Sequence, residues 1–189
     1  MGDQIRGRRC ILRWVNDRDV TFLARMHRNL EIRGNWTSRT VPTTDSFREH
    51  FYRDLDSYYH VLFIIASAEE PEKPIGFFYT TQYNPADGFT FSTLVMDPDN
   101  CLNGCAAEAG LLAYRYLFRH FPLRKIYANI YEYNHASLAF VRQAGFVEEG
   151  LMKQHAFRNG KYYGLYTFAL YREAFEEIDR RLFGHQEDA

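Results

Sequence analysis

The sequence predicts an α+β or α/β fold, a sheet with helices on its faces. Three observations carry this. Strand-like and helix-like segments follow one another along the chain with no repeat, linker or low-complexity tract between them. The run Val61-Leu62-Phe63-Ile64-Ile65-Ala66 is apolar without a break, as in a strand buried on both faces. Residues 103–120 carry two apolar stripes, Ala107-Leu111-Tyr114-Phe118 and Ala106-Gly110-Ala113-Leu117, which mark a helix packed on more than one side.

Each element has its own signal. Arg9-Cys10-Ile11-Leu12-Arg13 reads as the first strand. Asn16 or Asp17 is expected to cap a helix to about Asn29, with Val20, Leu23, Ala24 and Leu30 facing the core. Residues 31–42 read as a loop, and Thr44 or Asp45 opens a helix with Phe47, Phe51 and Leu55 on one side. Residues 61–66, 75–81 and 89–96 are strands, the last two joined by the turn Asn84-Pro85-Ala86-Asp87-Gly88 as an antiparallel pair. Residues 125–131 alternate as a strand, and Asn134 caps a short helix that stops at Gly145. Asn159-Gly160 predicts a type I′ hairpin turn, residues 165–171 its returning strand, and residues 172–183 a closing amphipathic helix.

Composition narrows the function classes. A chain of 189 residues fits one domain, taken as residues 1–189, and hardly allows two. Lys+Arg 23 against Asp+Glu 24 leaves a net charge of −1, which argues against bulk electrostatic binding to nucleic acid or to an anionic membrane. Aromatics at 17% are abundant enough to fill a core and line a pocket as well. The N-terminus turns charged at once, and the longest apolar run is far too short to span a bilayer, so a reducing cytoplasm is the expected compartment. Cys101 and Cys105 have no His or Cys pair nearby at zinc spacing, and no metal is expected.

One segment suggests chemistry. After Leu94-Val95-Met96 a short loop, Asp97 to Asn103, leads through Gly104, Cys105, Ala106 and Ala107 into a helix. Small residues there let a ligand approach the backbone, and the first helical turn offers unpartnered N–H groups and a favourable dipole for an anion. A simply packed helix start fits the same residues. The second segment is Asn134-His135-Ala136-Ser137, running to Gly145-Phe146 after a strand.

Together these residues resemble the GCN5-related N-acetyltransferase (GNAT) superfamily. Its Val-Asp-Pro-x-x-Arg-Gly-x-Gly-x-Gly/Ala pattern maps onto Met96 through Ala106 without a gap. Its Asn-x-x-Ser/Ala…Gly-Phe pattern maps onto Asn134, Ser137, Gly145 and Phe146. The tail, Glu149-Gly150-Leu151 and Asn159-Gly160-Lys161-Tyr162, resembles the RimJ/RimL-like branch, and spermidine acetyltransferases are similar as far as the Trp36 region. The resemblance implies a mostly antiparallel sheet that splays between the strands ending at Met96 and Tyr131 to admit acetyl-CoA. It implies that the backbone of Leu94, Val95 and Met96 pairs with pantetheine. Amides from Leu102, Asn103, Gly104, Cys105, Ala106 and Ala107 would meet the pyrophosphate, and Asn134 the pantetheine. Two departures stand out: Cys101 replaces the usual Arg or Gln, and no positive charge occurs between Asp97 and Ala113.

Acetyl transfer to an amine needs a base for the ammonium and an acid for the departing thiolate. Where many members carry an acidic Tyr, this chain has Val141. Ser137 matches the serine assigned that role in the RimJ/RimL-like branch, and a first-turn structural serine fits equally. Candidate bases are His155, next to Ala156 where some relatives carry Glu, and Glu132; ordered water is the third option. The resemblance places the acceptor among Glu31, Arg33, Trp36 and Arg39, with Tyr79, Phe89, Phe91 and Tyr131. The expected activity is acetyl transfer from acetyl-CoA to a primary amine of a small molecule or a protein N-terminus, with a catalytically weak GNAT-fold interaction module as the alternative and a homodimer left open. Acetyl-CoA or CoA should therefore raise the melting temperature, because it binds the native state alone; no shift at about millimolar CoA would count against this reading. Gly104→Val should remove cofactor binding with little loss of fold.

Overall fold

A computed structural model of the chain describes residues 4–29, 32, 43, 45–48, 51, 60–99 and 104–183. Its elements are β1 (Gln4–Arg6), β2 (Cys10–Trp14), α1 (Asp19–Arg28), β3 (Val61–Ser67), β4 (Pro74–Asn84), β5 (Phe89–Met96), α2 (Cys105–His120), β6 (Lys125–Tyr131), α3 (His135–Gln143), β7 (Val147–Arg158), β8 (Lys161–Tyr171) and α4 (Arg172–Phe183). The eight strands hydrogen-bond in the order β1-β2-β3-β4-β5-β6-β8-β7. β1-β2-β3-β4 and β6-β8-β7 are antiparallel runs, and β5 pairs with β6 in parallel. The chain gathers into two compact units, Met1–Gln82 with Ser92–Leu112, and Tyr83–Phe91 with Ala113–Ala189.

In the first unit β3 is buried along its whole length, as its unbroken apolar run predicts. Residues opposite each other in a ladder share a face, so the register Arg13↔Ile64 and Cys10↔Ser67 sorts the two sides. Ile64, Phe77, Tyr79 and Val95 form one core cluster with Val20, Leu23 and Met26 of α1, joined by Phe47 and Phe51. On the other side Cys10 Sγ lies 3.8 Å from the Cys105 carbonyl oxygen, at the start of α2. Leu30, Thr44, Leu55 and, Ile32 apart, the loop expected at 31–42 lie outside the described residues; Ile32 is helical, not loop, and is buried in the same cluster.

Two expectations here need correction. Asn16 and Asp17 do not cap α1, which starts at Asp19 after Arg18 and has no side-chain cap. Asp19 is 2% exposed, and a carboxylate so buried must be paired. It holds the Arg13 guanidinium through two bonds of 2.7 and 2.8 Å and accepts the Asn16 N–H at 2.9 Å. The second correction is β1, which the sequence reading lacked. Gln4, Ile5 and Arg6 pair with Arg13, Leu12 and Ile11 across a turn closed by the Gly7 N–H on the Cys10 carbonyl at 2.8 Å.

That turn is fastened to α2. The Glu108 carboxylate accepts the backbone N–H of Arg8 and Arg9 at 2.8 Å each and that of Cys10 at 3.1 Å. Gly7 makes the approach possible, since a Cβ there would stand 2.7 Å from Glu108 Cδ and 2.9 Å from Leu112 Cδ1. Partial burial raises the Glu108 pKa, and the bonds from Arg8, Arg9 and Cys10 outweigh it, holding the group below the ordinary glutamate value. Burial first, then the charge of Glu108, pushes the neighbouring Cys10 thiol far up.

In the second unit β6 pairs with the first three residues of β5 and, along its full length, with β8. Ile126, Ala128 and Ile130 are buried on one face, as their alternation predicts. Arg172 at the start of α4 donates to the carbonyls of Phe118, Phe121 and Leu123 and so caps the end of α2. On the opposite face of β6, Lys125 donates to both Glu149 oxygens at 2.9 Å, and the Tyr171 hydroxyl donates to the same carboxylate. Asn159 and Gly160 both take positive φ, as a type I′ turn requires.

Two outcomes follow. Asp19→Ala should cost about 3–5 kcal/mol in a denaturant titration, because it leaves the Arg13 guanidinium buried without its anion. Glu108 stabilises the fold while ionised, fully above the ordinary value of 4.5 and less as the pH falls through its lower folded value. The melting-temperature gap between the wild type and Glu108→Gln should then be wide at about pH 6 and narrow at about pH 3, and a gap that stays constant would contradict the assignment.

Candidate functional site

The first unit carries the end of β5 and the start of α2, where the sequence predicts a phosphate site. Val95 is turned into the core, while Leu94 and Met96 are half-buried. Where β5 ends, the Asp97 N–H donates to the Ile75 carbonyl at 2.9 Å. The Asp97 side chain is fully buried, holds Arg25 Nη2 at 2.6 Å and accepts the Asp99 N–H at 3.2 Å. This ion pair fixes the direction in which the chain leaves the strand. Cys101, Leu102 and Asn103 lie outside the described residues.

Gly104 has φ +82, and its carbonyl accepts the first helical bond of α2, from the Glu108 N–H at 3.1 Å. The N–H groups of Cys105, Ala106 and Ala107 therefore start α2 without intrahelical acceptors. Ala106 and Ala107 are half-buried, whereas the Cys105 side chain is fully buried, its thiol 3.7 Å from the Arg9 carbonyl. Any ligand contact of Cys105 is thus through its backbone. A Cβ on Gly104 would stand 2.5 Å from Arg9 Nη1, so the end of the Arg9 side chain packs against this glycine. N–H groups of this kind at a helix start are suited to the phosphate groups of a nucleotide-bearing cofactor. The positive φ changes one expectation: Gly104→Val would strain the backbone as well as press on Arg9, so its loss of binding would come with loss of stability.

The second unit carries a polar and aromatic strand end. The ladder between β6 and β8 closes at Tyr131↔Leu165. Just beyond it the exposed Glu132 accepts the Gly164 N–H at 2.8 Å through Oε2, and its own N–H donates to the Gly164 carbonyl at 2.9 Å. Asn134 caps α3, its Oδ1 accepting the Ser137 N–H at 3.2 Å. The Ser137 hydroxyl has no hydrogen-bond partner among the described residues. Val141 is buried.

Tyr131 stacks on Tyr133 with ring centroids 5.2 Å apart, and Tyr133 meets the edge of Tyr163 at 5.0 Å. The Arg158 guanidinium lies 4.4 Å from the Tyr133 ring centre. Burial pushes the Tyr133 hydroxyl up, with Arg158 pulling it down. Phe91 stacks on Tyr127 at 4.9 Å, and Phe89 meets the edge of the same ring.

The other expected residues are distributed as follows. Tyr79 is 6% exposed and belongs to the core cluster beside Phe77, because its face of β4 is the one that packs with α1; it is not a surface contact for an acceptor. His155 is exposed on β7, where the register shifts between Met152 and Ala156 and Gln154 takes φ +54, so simple alternation does not set its direction. Glu31, Arg33, Trp36 and Arg39 lie outside the described residues. Arg9, Arg25, Asp97, Glu108, Tyr133 and Arg158 gain their surroundings from the fold, through partners too distant in sequence to leave a local pattern. No helix among the described residues is long and apolar enough to cross a membrane.

Comparison with known proteins identifies the family and the fold. The family model described as an acetyltransferase (GNAT) domain matches residues 9–147, which include parts of both units. The chain is 23% identical over 151 residues to the spermidine N(1)-acetyltransferase of Vibrio cholerae, covering 80% of this chain and 86% of that protein. Among solved structures, spermidine N-acetyltransferase from Vibrio cholerae in complex with CoA and spermine superposes with a TM-score of 0.81 at 21% identity, covering 88% of this chain and 98% of the other. RimL, the ribosomal L7/L12 α-N-protein acetyltransferase, in complex with coenzyme A, superposes at 0.76 with 18% identity, covering 90% and 99%. Likeness at such identities establishes the fold, and the family match over most of the chain establishes the rest: this protein belongs to the GNAT family and is an acetyl-CoA-dependent N-acetyltransferase.

Proposed function

We propose that the acceptor is a primary amine and that Ser137 is the acid of the reaction. The reading is carried by one observation: Asn134, not the Ser137 hydroxyl, caps α3, and that hydroxyl is without a partner among the described residues. A structural serine in a first helical turn is explained by the backbone bond it makes, and here the capping bond is accepted by its neighbour.

Acetyl-CoA supplies the acetyl group as an activated thioester. The backbone of Leu94 to Met96 and the amides of Gly104 to Ala107 would hold it, and the buried Asp97 carboxylate, paired with Arg25, fixes the chain as it leaves β5. Asn134 orients the start of α3, and Ser137 as the acid would give a departing thiolate a hydrogen bond, or a proton that it regains from water. A group that acts as charge develops lowers the barrier without tightening ground-state binding. Glu132 is less suited to act as the base, because one carboxylate oxygen is engaged by the Gly164 N–H. Water is the better acceptor for the ammonium proton, with Tyr131 and Tyr133 as an aromatic wall beside the strand end. Two similar proteins are named for spermidine and for a ribosomal protein N-terminus, and both of those acceptors are amines. Cys10 and Cys105 are free thiols, which supports a reducing, cytoplasmic setting.

Ser137→Ala should lower kcat by roughly ten- to a thousand-fold and leave CoA affinity and melting temperature nearly unchanged. A serine that only closes a helix terminus would show the reverse, about 1 kcal/mol of stability lost at normal kcat. The assay is thiol release from acetyl-CoA with spermidine or a short peptide bearing a free N-terminus. Failure of every primary amine to release thiol would sink the acceptor assignment.

A further inference from the structure

We propose that Gly76 of β4 is a positioning residue for acetyl transfer: by carrying no side chain it lets the end of β5 close on β4, and this sets the backbone groups of Leu94 and Met96 that receive the pantetheine arm. The inference rests on the reading that the end of β5 holds the cofactor, and it adds a residue from another strand to that site.

Gly76 is buried, and a Cβ there would stand 2.6 Å from the Val95 carbonyl oxygen, 2.8 Å from Met96 Sδ and 3.3 Å from Met96 Cα. The carbonyl and the Cα are backbone and cannot turn aside. Gly76 does not take positive φ, so what it supplies is room and not an unusual conformation. A glycine inside a strand marks a bulge or a close approach of another backbone. Both occur here. Ile65 pairs with Gly76 and Ala66 with Pro74, so β4 carries Ile75 as an extra residue against β3. The carbonyl of that residue accepts the Asp97 N–H at 2.9 Å. The bulge bends β4 at the level where β5 ends. Gly150 is the contrast, for a Cβ there would meet nothing within 4 Å.

These contacts also sort the backbone of β5. The Asp97 N–H is directed at β4, and the Val95 carbonyl lies over Gly76 of the same strand. Backbone groups alternate between the two edges of a strand, so Leu94 and Met96 turn theirs to the edge away from β4. The ladder with β6 takes up only Phe89, Thr90 and Phe91 of β5. An extended arm with amide groups of its own, such as pantetheine, can add to that edge through Leu94 and Met96. A methyl group at position 76 would push Val95 and Met96 away from β4 and shift the edge with them. About 1 Å of misplacement can cost on the order of a hundred-fold in rate.

The test is titration of the full chain with CoA and with adenosine 3′,5′-bisphosphate, which keeps the nucleotide part of CoA and lacks the pantetheine arm. In Gly76→Ala that melts cooperatively, CoA affinity should fall roughly ten- to a hundred-fold and kcat with it, while adenosine 3′,5′-bisphosphate affinity stays unchanged. Gly150→Ala should change neither. Gly76→Ala combined with Met96→Ala should bind CoA no better than Gly76→Ala alone, because the Val95 carbonyl cannot be trimmed. Unchanged CoA affinity in folded Gly76→Ala, an equal loss of both ligands, or recovery in the double variant overturns the proposal and leaves β5 as the cofactor strand. Hydrogen exchange on the wild type needs no variant and decides the matter should Gly76→Ala not fold. The Val95 and Asp97 amides should be protected in the free chain, and those of Leu94 and Met96 should gain protection with CoA but not with adenosine 3′,5′-bisphosphate. A gain at Val95 in place of its neighbours overturns the proposal. No change at any of the four amides overturns the reading of β5 as well.

Discussion

The Glu108 carboxylate and its three backbone donors are the contact on which the front of the first unit depends. An ionised carboxylate accepting several amides is held more firmly than an exposed ion pair, because its partners carry no side-chain freedom to lose. Here those partners belong to residues 8–10, about a hundred positions away in the chain. The bond joins the N-terminal hairpin to the first turn of α2, and it brings two otherwise unrelated features, a turn rich in arginine and a glycine at φ +82, into one place. Cys10 and Cys105 fill the space beneath, each thiol directed at a carbonyl of the other's segment.

The second unit is organised by a different device. Lys125 is nearly buried, between the rings of Tyr127 at 4.4 Å and Tyr171 at 5.4 Å, and both Glu149 oxygens face it. Burial opposes the charge on each group, but the hydrogen bonds and opposite charges win, so Lys125 is pushed up and Glu149 down. Because Lys125 is on β6 and Glu149 on β7, the pair reaches over the intervening β8 and ties three strands at one level. Both units thus use a carboxylate to tie together segments that are separate in the sequence.

Elements with a regular period and clear punctuation were legible in the sequence. Residues 89–96, 125–131 and 172–183 form the elements expected of them, since alternation or helical spacing is bounded there by turn residues. Asn134 was equally legible, because capping is a bond over three residues. β1 was not, for Gln4-Ile5-Arg6 has one apolar residue and is held by ladder bonds and by Glu108. Asn16 and Asp17 looked like caps until Asp19 found a buried guanidinium, a partner that only the tertiary fold could supply. Tyr79 illustrates the limit for site residues: an aromatic on a strand can face either side, and which side a helix covers is not written locally. Gly104 was visible, whereas the arginine beside it was not.

The outer strand β7 has a consequence of another kind. It is the last strand in the sheet order, twelve residues long, with Val147, Leu151, Met152 and Phe157 all exposed. A flat edge of that length and composition would be a template for another chain. β7 is not flat: its register shifts at Glu148/Gly150 and again at Met152/Ala156, and Gln154 takes a left-handed conformation within the second shift. Each irregularity bends and twists the strand, so its free N–H and C=O groups do not form a straight row. The protein can therefore carry an apolar outer hairpin and still resist edge-to-edge polymerisation.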